Sequence, residues 1–328
     1  AADAASTPGV IDLLAHLEAE NAYADAEMKP TEGFQHALYA EMLGRIQETD
    51  ENVPYRRGDF YYYSRTEQGK QYPIYCRRKG SLEGEEEVTL DLNRLAEGRA
   101  FMSLGAYQVS DDASLLAYAT DDTGFRQYTL FVKDLRTGAL ALKIADKVGS
   151  VAWAADDRTL FYTVEEDSTK RQYRLYRHRL GESAHDLVLE ESGMFFGVDV
   201  YRTRSRQYLV LGASSLTTSE ALFLPAAEPE GEWRLVAPRV HEQEYDLEHH
   251  GDVFYVRVND RGRNFRLVTA PVASPGRESW TEVVPHRPEV MLEGVDCFRD
   301  HLVRFEREGG LPRVSVTDLR TGAAHRIA

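Results

Sequence analysis

Five carboxylates in this 328-residue chain sit where clustered negative charge could meet a positively charged ligand: Asp121 with Asp122, and Glu165 with Glu166 and Asp167. Each cluster lies between two runs rich in apolar and β-branched residues, which places it in a loop between strands. In a partly closed cavity such acids would favour basic side chains by Coulomb attraction. Glu83 with Glu85, Glu86 and Glu87 makes a third acidic stretch. The plainer expectation for all three is a solvated turn, with Arg126, Arg171 and Arg174 near enough in sequence to pair with the acids.

Other chemistry is harder to find. A serine hydrolase elbow needs G-x-S-x-G on a strand-to-helix turn. Gly212-Ala213-Ser214-Ser215-Leu216 lacks the last glycine and runs on into strand. His241-Glu242-Gln243-Glu244-Tyr245 lacks the second histidine of a zinc helix. His249 and His250 are adjacent, so in a strand they point to opposite faces, and all three read as solvated or turn histidines. There is no P-loop and no G-x-G-x-x-G, and no cofactor or metal is expected. Two cysteines, Cys76 and Cys297, are too few for a disulfide framework or a four-ligand zinc site and read as buried thiols.

Charge narrows the partners. Lys and Arg total 39 against 54 Asp and Glu, a net −15 without any basic stripe, which argues against nucleic acid. Much of the excess lies in residues 1–52, where eleven acids face only Lys29 and Arg45. No run approaches the roughly 18 apolar residues of a membrane span. The start, Ala1–Val10, has neither the basic nor the apolar segment of a secretory signal, so a cytoplasmic location is the expectation. The first residue is not Met, which leaves room for an upstream start.

The elements that must position these residues fall into two kinds. Residues 1–52 read as a helical hairpin. Thr7-Pro8 starts a helix, Lys29-Pro30 ends it, and Thr31 caps a second helix with an apolar face of Phe34, Leu38, Met42, Leu43 and Ile46. From residue 53 the period changes to short alternating runs separated by Gly, Asp and Asn turns. Asp134-Leu135-Arg136-Thr137-Gly138 recurs identically at Asp318–Gly322, 184 residues later or four steps of 46. Asp111-Asp112-Ala113-Ser114 parallels Asp156-Asp157-Arg158-Thr159 at an offset of 45. Strands are expected to begin near Phe60, Leu115, Leu160, Gln207, Asp252 and His301, each followed by a second strand, the first of these at Tyr72–Cys76. A strand repeat of this length specifies β-propeller blades of four strands, and residues 53–328 hold about six. Either six blades close the ring or a seventh follows.

Several segments resemble the non-catalytic half of oligopeptidase B enzymes, in the prolyl oligopeptidase family of serine peptidases. They are LEAENAYADA (Leu17–Ala26), GFRQYTLFVKDLRTG (Gly124–Gly138), GASSLTTSEALFL (Gly212–Leu224), the stretch from His241 to Leu267, and EVMLEGVDCFRDHLVRFEREGGL (Glu289–Leu311). The resemblance implies a seven-bladed propeller over an α/β-hydrolase domain whose Ser, Asp and His cleave short peptides after Arg or Lys, with the propeller and helices restricting entry. No triad residue can be carried onto this chain, since the matching region would lie beyond residue 328. The segment therefore reads as the gating and substrate-selecting part of such a peptidase, with the hydrolase domain and short basic peptides as partners. On that reading Phe34, Leu38, Met42 and Leu43 face the hydrolase domain, and Asp121, Asp122, Glu165, Glu166 and Asp167 are candidates to face substrate. The alternative is a stand-alone propeller that binds a protein or peptide.

Overall fold

The structure is a computed structural model, and it describes residues 8–139 and 142–327. Thr7, the expected helix start, lies outside the described residues. The chain divides into two compact units, Ala1–Asn93 and Arg94–Ala328.

The first unit holds two helices and one sheet. Helix α1 spans Pro8–Met28 and helix α2 spans Glu32–Gly44, joined by a 3-10 turn at Lys29–Thr31. Thr31 does not cap α2 as expected. Its backbone stays right-handed helical, and its hydroxyl donates back to the Met28 carbonyl at 2.6 Å, so the junction tightens without leaving helical conformation. The sheet pairs Phe60–Thr66 with Ile74–Lys79 and then Glu86–Asp91. Its inner strand is broken into Asp50–Glu51 and Tyr55–Arg57, both paired to Phe60–Thr66, with Pro54 between them. The strand expected at Tyr72 starts two residues later. Pro73 has no N–H for a ladder, and Tyr72 bonds instead to the Asn93 side chain at 3.0 and 2.8 Å.

The second unit holds five four-stranded antiparallel sheets in which consecutive strands pair in sequence order. With the first unit's sheet this is a six-blade β-propeller. Inner strands run Ser103–Val109, Val148–Trp153, Gly197–Arg202, Tyr245–His250 and Val290–Cys297 in the second to sixth blades. Second strands run Leu115–Asp121, Thr159–Glu165, Tyr208–Ser214, Val253–Val258 and His301–Glu308.

Strand alternation builds the core as layers between neighbouring blades. Leu209 and Leu211 face the third blade, beside Phe161 and Leu175, whereas Val210 between them faces the fifth, beside Phe254 and Val256. Leu160 and Tyr162 likewise face the second blade while Phe161 faces the fourth. Each such strand is apolar on both faces because both are covered. Inner strands are also stitched at one repeat: the Trp153 indole donates to the Gln108 carbonyl and the Tyr201 hydroxyl to the Leu247 carbonyl, both at 2.8 Å.

The repeat survives in backbone detail. The two identical pentapeptides are the same turn: the carboxylates of Asp134 and Asp318 accept from the amides two and three residues on, and Gly138 and Gly322 take φ of 66° and 73°. The other parallel shifts by one residue. Asp112 and Asp156, not Asp111 and Asp156, are the equivalent acids that bond the backbone ahead of the second strand, and Ala113 and Asp157 follow them with positive φ.

Candidate functional site

Blade topology sorts the loops to two ends. One end, here the crossover end, carries the loops from second to third strands and the crossovers from each outer strand to the next inner strand. The opposite end carries the turns that leave the inner strands.

All five candidate acids lie at the crossover end, in the second and third blades. Asp121 closes its strand and is 1% exposed. Its carboxylate accepts from the Thr123 amide and hydroxyl at 2.8 and 2.6 Å and from the Arg126 amide at 2.8 Å. Although burial opposes ionisation, these bonds hold the group below the usual carboxylate range. Glu165, the equivalent residue of the next blade, is buried and takes Gln127 and Lys170, both at 3.3 Å. Neither is the solvated turn acid expected: Asp121 organises its own loop, and Glu165 ties its loop to that of the second blade. Asp122 is more open and pairs with Arg99 over a cavity of about 300 Å³ lined by Met102, Tyr118 and Phe131. Glu166 accepts from the Thr169 hydroxyl at 2.6 Å, and the exposed Asp167 pairs with Lys147. Asp121 and Asp122 belong to the second blade, and Glu165, Glu166 and Asp167 to the third.

Arg171 takes a larger part than pairing with neighbouring acids. One of its terminal nitrogens donates to the carbonyls of Glu191, Gly193 and Phe196 at 3.1, 2.8 and 2.7 Å. Those residues form the crossover from third to fourth blade. Arg239 binds the Glu191 and Glu220 carboxylates and lies 4.0 Å above the Phe196 ring.

Between the fourth and fifth blades is a pocket of about 210 Å³ bordered by Asp199, Tyr201, Glu220, Glu244, Asp246 and Arg257, among others. Asp246 pairs with Arg257 at 2.5 Å and Glu220 with Arg239. Much of Asp199 is open, yet its carboxylate lies against the Gly212 backbone, where a Cβ would meet it at 2.5 Å, and desolvation holds it above the usual carboxylate range. The composition did not single out Asp199, because one acid in an alternating strand carries no spacing signal.

At the opposite end, charged groups bind blades that are not neighbours. Asp111 of the second blade pairs with Arg202, at 2.9 Å, and with Arg206, both of the fourth. Arg204 of the fourth pairs with Asp296 of the sixth at 2.8 Å, while its amide donates to Glu248 of the fifth at 2.9 Å.

His249 overturns the solvated reading. It is 1% exposed, packed at 4.6 Å against the Tyr208 ring, with Nδ1 bonded to the Ser205 hydroxyl at 2.9 Å and Nε2 buried without a partner. An inward-facing position in a strand covered on both faces buries whatever residue occupies it. His250, on the other face, meets the Arg299 carbonyl at 2.9 Å. Cys76 and Cys297 are buried thiols, and desolvation pushes them up to about 11 and about 12. Phe34, Leu38, Met42 and Leu43 are exposed, at 70, 42, 58 and 37%.

Comparison with known proteins adds the context. The family described as prolyl oligopeptidase, N-terminal β-propeller domain, matches residues 6–327. Dipeptidyl aminopeptidase BI of Pseudoxanthomonas mexicana is 38% identical over 325 residues, covering 93% of this chain and 45% of the relative. Protease 2 of Moraxella lacunata is 33% identical over 318 residues, with coverage of 93% and 45%. Oligopeptidase B from Leishmania major superposes with a TM-score of 0.86 at 28% identity, covering 100% of this chain and 48% of that one. Oligopeptidase B from Trypanosoma brucei, in a closed form with covalently bound antipain, gives 0.87 at 28% identity and the same coverage. The chain thus spans about half the length of the relatives it matches.

Proposed function

The chain belongs to the prolyl oligopeptidase family, as its N-terminal β-propeller domain, and from that premise we propose that it is the gating and substrate-selecting part of an oligopeptidase B-like serine endopeptidase that cleaves short peptides after Arg or Lys. The observation that carries the gating role is the bridging of non-neighbouring blades by Asp111 with Arg202 and Arg206, and by Arg204 with Asp296. Charged pairs that cross between blades bar a folded polypeptide from passing among the inner strands at that end. Preference for basic peptides is supported by the net −15 charge and by the Asp199 and Glu244 carboxylates, which border one pocket. Among the five loop acids, Asp122 and Asp167 keep open surface for a basic ligand, whereas Asp121 is fully engaged by its own loop. The exposed stripe of Phe34, Leu38 and Met42, at helical i, i+4 spacing, supports docking of α2 on a peptidase domain.

The test is a peptide panel on the gene product purified from its source cells. The reading expects kcat/KM for short peptides with Arg or Lys before the scissile bond to exceed that for Ala or Pro analogues by about 100-fold or more, and cleavage to vanish for the same site within a folded protein. Equal rates on the Ala and Arg peptides would sink the specificity, and cutting of folded proteins would sink the gating.

A further inference from the structure

The second blade has two unlike faces. Ala117 and Ala119 of its second strand, with Leu130 and Val132 of its third, pack against Trp153 and Leu160 of the third blade. Strand alternation turns Tyr118 and Phe131 to the other face. There they line a cavity of about 300 Å³ with Leu95, Met102, Arg99 and Asp122, all residues of the second unit. That volume lies at the small end of ligand sites, which run from about 300 to 1,000 Å³, and suits a molecule built around one ring.

The walls of the cavity divide by chemistry. Tyr118 and Phe131 stack with ring centres 5.5 Å apart and 25° between planes, and Leu95 and Met102 extend the apolar lining. Arg99 and Asp122 supply the charge and pair with each other, their side chains 48% and 41% exposed. A pair so open is weak, since water competes for both groups. It therefore yields readily to a ligand that brings both charges itself. The backbone that carries each group is already set. The Arg99 amide donates to the Ala96 carbonyl at 2.9 Å across Gly98, which takes φ of 74°. Asp122 follows Asp121, whose carboxylate gathers the Thr123 and Arg126 amides at 2.8 Å. Groups held this way lose little further freedom on binding.

We infer that this cavity binds a free α-amino acid with an aromatic side chain. The ligand's ring lies on Tyr118 and Phe131, where aromatic contacts gain beyond the area they bury. Its carboxylate takes the Arg99 guanidinium and its ammonium takes the Asp122 carboxylate, so each protein group exchanges one charged partner for another. Because Arg99 and Asp122 pair directly, the two charges they read must be carried on one carbon. The termini of a dipeptide stand a peptide unit further apart, and the N-terminus of a longer peptide brings no carboxylate.

Isothermal titration calorimetry of the 328-residue chain tests this with L-phenylalanine, L-phenylalaninamide, N-acetyl-L-phenylalanine and glycine. The expected result is saturable one-site binding of phenylalanine with Kd below about 1 mM, weakened by about tenfold or more when either charge is blocked, and lost for glycine. Arg99→Gln and Asp122→Asn alter exposed side chains, and each should weaken phenylalanine by about tenfold or more. Arg136→Gln, in the turn after the third strand of the same blade, should leave binding unchanged. No binding of phenylalanine up to about 10 mM overturns the site. Phenylalaninamide as tight as phenylalanine overturns the free amino acid in favour of a peptide N-terminus, and glycine as tight overturns the aromatic floor. Full affinity in the Arg99 and Asp122 variants overturns the placement in this cavity.

Discussion

Tyr245→Phe removes one oxygen atom from the seam between the fourth and fifth blades. The third and outer strands of the fourth blade, Ser219–Pro225 and Arg234–Ala237, slip register between Ala221 and Leu222. That bulge leaves backbone groups unmatched, and the Tyr245 hydroxyl fills the gap from the next blade. It accepts from the Ala221 and Ala237 amides at 2.8 and 3.2 Å and donates to the Ala237 carbonyl at 2.7 Å. Tyr245 is 4% exposed and desolvation pushes its phenol up to about 12, so water does not replace the hydroxyl. Each buried group left without a partner costs about 1–3 kcal/mol. The longer Ala237 contact and the carbonyl's second lone pair place the total near the low end, about 3 kcal/mol. For a unit the size of Arg94–Ala328, about 2–4 °C is lost per kcal/mol, so Tm should fall by about 6–12 °C. Differential scanning calorimetry of the 328-residue chain and its variant reads this directly. A shift below about 2 °C would show that the bulge groups find other partners and that the hydroxyl does not staple the blades.

Four further outcomes follow from the same geometry. Gly105→Ala places a Cβ 2.6 Å from the Tyr128 ring, so it should lower stability by about 1–3 kcal/mol in urea denaturation, and no change would mean that the ring moves freely. His249 is held below its ordinary 6.5 by burial. The unfolded chain therefore binds the extra proton, and stability present above pH 6.5 should drain away as pH falls below it. His249→Asn should remove that part of the pH slope, measured as Tm against pH. Asp111→Asn severs the second blade from Arg202 and Arg206 of the fourth. It should cost about 1 kcal/mol, reduced in 1 M salt, because both partners are partly solvated. Phe34→Ser with Met42→Ser should abolish any self-association of the isolated chain seen in sedimentation velocity without moving Tm, since both side chains are exposed.

The repeat was legible because it is written in turn chemistry. Asp134 and Asp318 must bond the amides ahead of them, and Gly138 and Gly322 must take positive φ, so selection for one turn leaves one pentapeptide. Strand starts near Leu115, Leu160, Gln207, Asp252 and His301 came out within a residue because apolar runs between turns admit little slack. Asp111 with Asp156 failed by one residue because two adjacent aspartates offer the same local pattern, and only the backbone bond tells which one turns inward. Site chemistry was less visible. Asp121 and Glu165 looked like turn acids, since sequence shows position but not the amides that converge on a carboxylate. Arg171 was read as a counter-ion, because nothing local says that its guanidinium reaches a crossover twenty residues on. His249 and Asp199 depend on which face of a strand meets the next blade, a fact that belongs to the fold rather than to either residue.

The central claim, that this propeller gates a serine peptidase, is tested most directly by the size of the gene product in its source cells after treatment with a serine-reactive phosphonate. The account predicts a labelled polypeptide about twice as long as the 328-residue chain, like the relatives of which the chain covers 45–48%. An unlabelled product of 328 residues would contradict it and leave a propeller whose partner must be found by binding.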